Sequence, residues 1–224
     1  MFEHQSREAD VLVGNSFGPR RRNPLVRLLT DPSFAVRAAR FALGLPTRMD
    51  TEDRRVLEEV IFPYYMNLPG IRSVLFVGCD WYTKHYGSTF FQHQDYWTID
   101  VAESARKFGG PHHIVDSLEH LDAHAPADSF DLIICNGVFG FGLNTLDQCE
   151  RAIGHCHSRL RSNGHLLFGW TDVPARVPVP IESIRGFDGF ERFAFPAFKS
   201  WRYVTSTPYR HTYDFYRKAD APGR

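Results

Sequence analysis

Three carboxylates and one glycine carry the chemical content of this chain. Asp80, Asp100 and Asp116 each stand where an apolar run ends, and Gly78 breaks the first of those runs. In an open α/β sheet, ligands sit outside the carboxyl ends of the strands, so acids at those ends face one crevice. Asp100 follows Gly78 by twenty-two positions. That spacing puts a carboxylate at the tip of the parallel strand beside the one the glycine ends, where it can accept hydrogen bonds from two ribose hydroxyls. The stretch from 73 to 100 therefore reads as strand, glycine turn, helix, strand and terminal acid, a unit that usually binds an adenosine-containing cofactor. An ordinary βαβ unit with no ligand is the plainer reading of the same pattern.

The elements that must position these residues alternate along the chain. A helix over 50–65, capped by Asp50 or Thr51 and with Val56, Val60, Ile61 and Tyr64 spaced for one apolar face, leads into the sheet. Strands are expected at 73–77, 96–100, 112–115, 130–136 and 165–170, with helices near 83–91 and 145–161. Such alternation implies a parallel sheet covered on both faces. After the proline-spaced loop PARVPVP, two aromatic-rich stretches at 190–198 and 211–217 read as closing strands that form an antiparallel edge. The fold class is thus α/β, a doubly wound and mostly parallel seven-stranded sheet. Residues 51–220 are expected to form this domain. Residues 1–50 read as a basic extension, with GPRRRNP at 18–24 and a short helix between Asp31-Pro32 and Gly44-Leu45-Pro46.

Bulk composition narrows the partners. The chain has 224 residues, with 26 basic and 26 acidic side chains that cancel, so no global field favours nucleic acid. Small neutral or weakly charged substrates fit better. The four cysteines, Cys79, Cys135, Cys149 and Cys156, contain no CxxC pair, which suits a reducing, cytoplasmic compartment. No run approaches the roughly eighteen apolar residues of a membrane span, so no integral membrane association is expected. Oligomeric state cannot be read from the sequence. Two histidine clusters invite a metal reading and fail it. His155 and His157 flank Cys156 on a helix, where adjacent residues point about 100° apart, and His112 and His113 on a strand face opposite sides. No metal is assigned.

The order of these pieces, with ADSFDLIICNGVF after the third acid and then a helix leading into SRLRSNGHLLFGW, resembles the class I S-adenosylmethionine-dependent methyltransferases, especially the small-molecule, type 11-like members. The resemblance covers residues 55–217. It implies a Rossmann-like methyltransferase fold, S-adenosylmethionine as cofactor and a small-molecule methyl acceptor. It further implies that Gly78, Cys79 and Asp80 form the turn under the cofactor's methionine moiety, that Asp100 and Val101 meet the ribose side, that Asp116 and the Ser117 amide contact adenine, and that Asn136 and Gly137 lie beside the sulfonium.

The first turn departs from the family pattern. Phe76 stands where the family has an acid, and Gly78-Cys79-Asp80-Trp81-Tyr82 replaces GxGxG. Either Asp80 takes over the ammonium group or the pocket is altered, and the alternative to catalysis is a regulatory domain of the same fold that has lost the cofactor. A nicotinamide fingerprint would need glycine where Asp80 and Thr83 stand. Methyl transfer from a sulfonium proceeds by positioning, and a base is needed only for poorly acidic acceptors. Tyr82, His85 and Tyr86, just after the turn, are the candidates for substrate contact or proton transfer.

Overall fold

The computed structural model describes residues 47–219, together with residues 32, 35, 36, 39, 40, 43 and 45. The chain divides into two units, residues 1–49 and residues 50–224. In the first unit Pro32, Ala35, Val36, Ala39 and Arg40 are helical, while GPRRRNP lies outside the described residues. No helix among those described is long and apolar enough to cross a membrane.

The larger unit opens with one continuous helix, α1, made of Glu52–Val56, a π-helical segment Leu57–Ile61, and Phe62–Asn67. Thr51 precedes it in an extended conformation but makes no side-chain cap. Its buried face is rotated from the one the sequence suggests. Leu57, Ile61, Phe62 and Tyr65 are fully buried, Val56, Val60 and Tyr64 only partly, and the charged Asp53, Arg54 and Glu58 are buried as well. Spacing alone could not find this face, because charged side chains share it and the π-helical turn breaks the 3.6-residue period.

Strands β1 (Ser73–Val77), β2 (Asp95–Asp100), β3 (His112–Val115), β4 (Phe130–Asn136) and β5 (Leu160–Thr171) are joined by parallel pairing in the spatial order β3-β2-β1-β4-β5. The strand order reverses between β1 and β4, which is where such sheets open a crevice at their carboxyl ends. β8 (His211–Lys218) lies antiparallel to β5. Two short strands, β6 (Phe190–Arg192) and β7 (Arg202–Val204), then pair with successive stretches of β8. The sheet therefore has eight strands and not seven. The Phe193 amide still donates to the Phe215 carbonyl at 2.9 Å and the Phe215 amide to the Trp201 carbonyl at 2.8 Å, while residues 194–200 loop out between them, so the seventh position is filled by two collinear pieces. Antiparallel pairing is confined to this end of the sheet.

Alternation along the strands builds two cores. Leu75, Val77, Ile133, Cys135, Leu166 and Phe168 pack with Cys149, Ala152, Ile153 and Cys156 of α3 (Leu146–Arg159) on one face. Val74, Phe76, Leu132, Ile134, Leu167, Tyr213 and Phe215 pack with α1 on the other. Full burial of side chains of this size contributes roughly 1.5–3 kcal/mol each. Thr145 and Gln148 cap α3 reciprocally.

The helix expected over 83–91 is reduced to α2 (Tyr86–Thr89), preceded by turns. Thr83 is the cause. Its hydroxyl accepts from the Asp80 amide at 3.0 Å and donates to the Asp80 carbonyl at 2.9 Å, bonds that compete with a helical ladder. The crossovers after β2 and β3 carry only 3₁₀ turns, Glu103–Phe108 and Leu118–Ala123.

Candidate functional site

The turn after β1 and the tip of β2 are tied together by one carboxylate. Gly78 adopts φ +85°, a conformation that favours glycine, and its amide donates to the Ile99 carbonyl at 2.9 Å. Asp100 accepts from the Cys79 amide through Oδ2 and from the Ala102 amide through Oδ1, both at 2.8 Å. Each of its oxygens keeps a lone pair for a further donor. Beside it Val101 is 62% exposed, an apolar side chain offered at the strand tip. Burial, then the neighbouring Asp100 charge, pushes the Cys79 thiol up to about 12, so it is no nucleophile. Asp80 closes its own turn, accepting the Trp81 amide at 2.7 Å.

Asp116 continues the row at the tip of β3, and its carboxylate is held by partners of its own. Oδ1 accepts from the Ser117 amide at 2.7 Å, and two imidazoles, His120 Nδ1 and His124 Nε2, stand 2.8 Å from its two oxygens. These bonds, His124 first and then His120, hold the carboxyl down at about 2. The only sequence signal was histidine four and eight positions after the acid.

At the tip of β4, Gly137 takes φ +80° and its amide donates to the Gly169 carbonyl at 2.9 Å. Asn136 is 5% exposed, and its Oδ1 lies 2.9 Å from His211 Nε2, which must carry the proton for an oxygen acceptor. Its amide nitrogen Nδ2 is buried with no partner among the described residues. Glycine is required at 169, since a Cβ there would come within 1.8 Å of Asn136 Oδ1. His211 was not visible in the sequence because 75 positions separate it from Asn136. Burial lowers its pKa to about 4, so the ring is neutral near pH 7.

The three residues after the turn diverge. Tyr82 lies with its ring 4.4 Å from the Arg54 guanidinium carbon, and its hydroxyl accepts from Arg54 Nη2 at 3.4 Å. Tyr86 is 2% exposed, packs edge-on against Phe62 and Phe76, and donates its hydroxyl to Glu58 Oε1 at 2.8 Å. Burial pushes both phenols up, in Tyr86 more strongly. His85 precedes α2, and its Nε2 has no partner among the described residues. The sequence also gave no sign of a polar group built around α1. Asp53 accepts the Tyr209 hydroxyl at 2.6 Å and lies 3.6 Å from Arg54 Nε, while its carbonyl accepts the Tyr213 hydroxyl at 2.8 Å. Among the described residues no three His, Cys, Asp or Glu side chains gather to hold a metal.

No family model matches the chain, and no curated protein matches its sequence. Solved structures do match. The N-methyltransferase NodS from Bradyrhizobium japonicum WM9 superposes with a TM-score of 0.54 at 17% identity, over 75% of this chain and 99% of that one. A TehB-like S-adenosylmethionine-dependent methyltransferase from Corynebacterium glutamicum gives 0.52 at 19% identity, over 85% and 98%. The 1,6-didemethyltoxoflavin-N1-methyltransferase of Burkholderia thailandensis, solved with 1,6-didemethyltoxoflavin and S-adenosylhomocysteine, gives 0.51 at 14% identity, over 91% and 93%. At these identities the likeness is one of fold, and the fold is that of the S-adenosylmethionine-dependent methyltransferases.

Proposed function

We propose that this chain is an S-adenosylmethionine-dependent methyltransferase acting on a small molecule. The observation that carries the reading is Asp100, fixed at the tip of β2 by two backbone amides, one of them from the glycine turn at the switch point of the sheet. The residues present fit the cofactor. Two positive-φ glycines, Gly78 and Gly137, bring bare backbone to the crevice, and no atom stands within 4 Å of where a Cβ on Gly137 would lie. Val101 offers apolar surface beside the acid, and Asn136 holds an unmet donor.

The cofactor supplies a methyl group carried on a sulfonium. Asp100 would accept the two ribose hydroxyls, with Val101 against the base. Asp116 and Ser117 would meet the adenine edge, with His120 and His124 holding the carboxylate ionised. Cys79 and Asp80 would flank the amino-acid tail. His211 is a positioning residue, since its bond to Oδ1 turns the Asn136 amide nitrogen away from itself. Tyr82 would border the acceptor, and His85 is the remaining candidate for a proton. Rate acceleration then comes from holding donor and acceptor in line.

The test is calorimetric titration with S-adenosylmethionine and S-adenosylhomocysteine, wild type beside Asp100→Ala, with both melting temperatures recorded. Micromolar binding lost in a folded variant is the expected result. Failure of folded wild type to bind either ligand would favour a non-catalytic domain whose first turn, with Asp80 and Tyr82 in place of glycines, has closed the site.

A further inference from the structure

Arg54, in the first turn of α1, is 7% exposed, and its Nε and Nη1 groups are buried without an acceptor among the described residues. Its contacts are with phenols and one carboxylate, and the Tyr86 hydroxyl beside it already donates to Glu58. Nη2 donates to the Tyr82 hydroxyl over 3.4 Å, and Asp53 stands 3.6 Å from Nε, too far for a hydrogen bond. A guanidinium cannot shed its proton to escape such a setting. Asp53 is already engaged by the Tyr209 hydroxyl at 2.6 Å.

A second unmet donor belongs to the same neighbourhood. Asn136 Nδ2 is buried and unpartnered at the tip of β4. The residue that orients it, His211, stacks edge-on 4.7 Å from the Tyr213 ring, whose hydroxyl bonds the carbonyl of Asp53, the neighbour of Arg54. The three unmet atoms of Arg54 and Asn136 are all donors. What satisfies them is a group rich in acceptors, and the permanent charge on Arg54 selects an anionic one, since charge-assisted bonds to a carboxylate are roughly twice as strong as neutral ones. Access is through Tyr82, whose ring covers the guanidinium and whose backbone lies in turns and not in a helix.

We propose that the small molecule methylated by this chain carries a carboxylate, and that Arg54 receives it beneath a displaced Tyr82 ring, with the Asn136 amide as a second donor. Arg54 is then the specificity-determining residue of the acceptor site. This rests on the methyltransferase reading above.

The test is nuclear magnetic resonance of the full chain labelled with ¹⁵N-arginine, following the Arg54 Nε–H signal, identified by its loss in Arg54→Lys. Formate, acetate and benzoate are titrated beside formamide, acetamide and benzamide at constant ionic strength. A saturable shift with the carboxylates and none with the amides is expected, together with a rise in melting temperature that Arg54→Gln abolishes. A signal that no carboxylate moves, or that amides move equally, overturns the proposal. Repeating the titration with S-adenosylhomocysteine present separates the sources. If that ligand alone moves the signal and added carboxylates then do nothing, Arg54 holds the cofactor's own carboxylate and the acceptor assignment falls. A carboxylate shift in a chain that calorimetry finds unable to bind S-adenosylhomocysteine leaves an anion site and overturns only its part in methyl transfer.

Discussion

Two arginines lie on opposite faces of β8, and the protein treats them differently. Arg202 donates to both oxygens of the buried Asp214, at 2.5 and 2.7 Å, and the Trp170 indole completes that carboxylate at 3.1 Å. Its guanidinium also stacks 4.5 Å from the Trp201 ring. Every oxygen and every ring around it is used, and the group closes the seam between β5, β8 and β7. One residue earlier on β8, the Tyr213 side chain points to the other face and bonds the Asp53 carbonyl beneath Arg54. There the guanidinium has a ring beside it, a carboxylate nearby and the Tyr86 phenol within reach, yet its bond to the Tyr82 hydroxyl is a long one and two of its nitrogens have no acceptor among the described residues. Burying charged donors unmet costs stability, on the order of 1–3 kcal/mol or more per group. The Arg202 group is built to hold strands together. The Arg54 group is arranged beside the strand tips at a cost to the fold, which is the pattern expected of a site and not of a clip.

Breaking each pair sharpens the contrast. Asp214→Ala should cost about 3 kcal/mol in urea unfolding, at the low end for a broken buried pair because Arg202 remains partly solvated. A loss below about 1 kcal/mol would remove the distinction drawn here. Comparable in size is a pH effect centred on the Arg54 side. The His211 pKa is lowered by burial to about 4 from 6.5, so between those values the unfolded chain binds a proton that the native chain refuses. Its contribution to stability is complete above pH 6.5 and is lost as pH falls toward 4, with a slope of up to about 1.4 kcal/mol per pH unit. His211→Asn should flatten that slope by close to one proton. The part due to His165, also lowered to about 4 by burial, should persist. An unchanged slope would mean that His211 is not buried as described. Smallest of all should be Arg54→Gln, which removes donors that have no partner, and whose cost should stay within about 1 kcal/mol. A loss matching that of Asp214→Ala would make Arg54 a structural clip after all.

Much of the fold was legible because its central strands are buried. The runs at 73–77 and 130–136 coincide with β1 and β4 to the residue, since a central strand covered on both faces reads as a largely apolar run stopped by a glycine; the edge strand β3 also matches 112–115, though His112 is exposed there and the run stops at Asp116. Legibility failed where side chains bond locally or where charges are buried. The Thr83 hydroxyl shortened the first crossover helix, and Asp53, Arg54 and Glu58 disguised the buried face of α1. The position of the candidate site, at Gly78, Asp100, Asp116 and Asn136, could be read from strand ends alone. Its second half could not, because His211 and Tyr209 come from the far end of the chain and carry no spacing signal that points to Asn136 or Asp53.

The sequence by itself determined which residues stand at the carboxyl ends of the strands, because hydrophobic runs set strand length and a strand's last residue follows from where the run stops. Only the tertiary structure decided what those residues touch. It gave two imidazoles to Asp116, set Asn136 against His211, and left Arg54 buried with donors unmet. The physical reason is that hydrogen bonds of this kind are made between elements far apart in the chain, after hydrophobic burial has brought those elements together, and no local pattern records them.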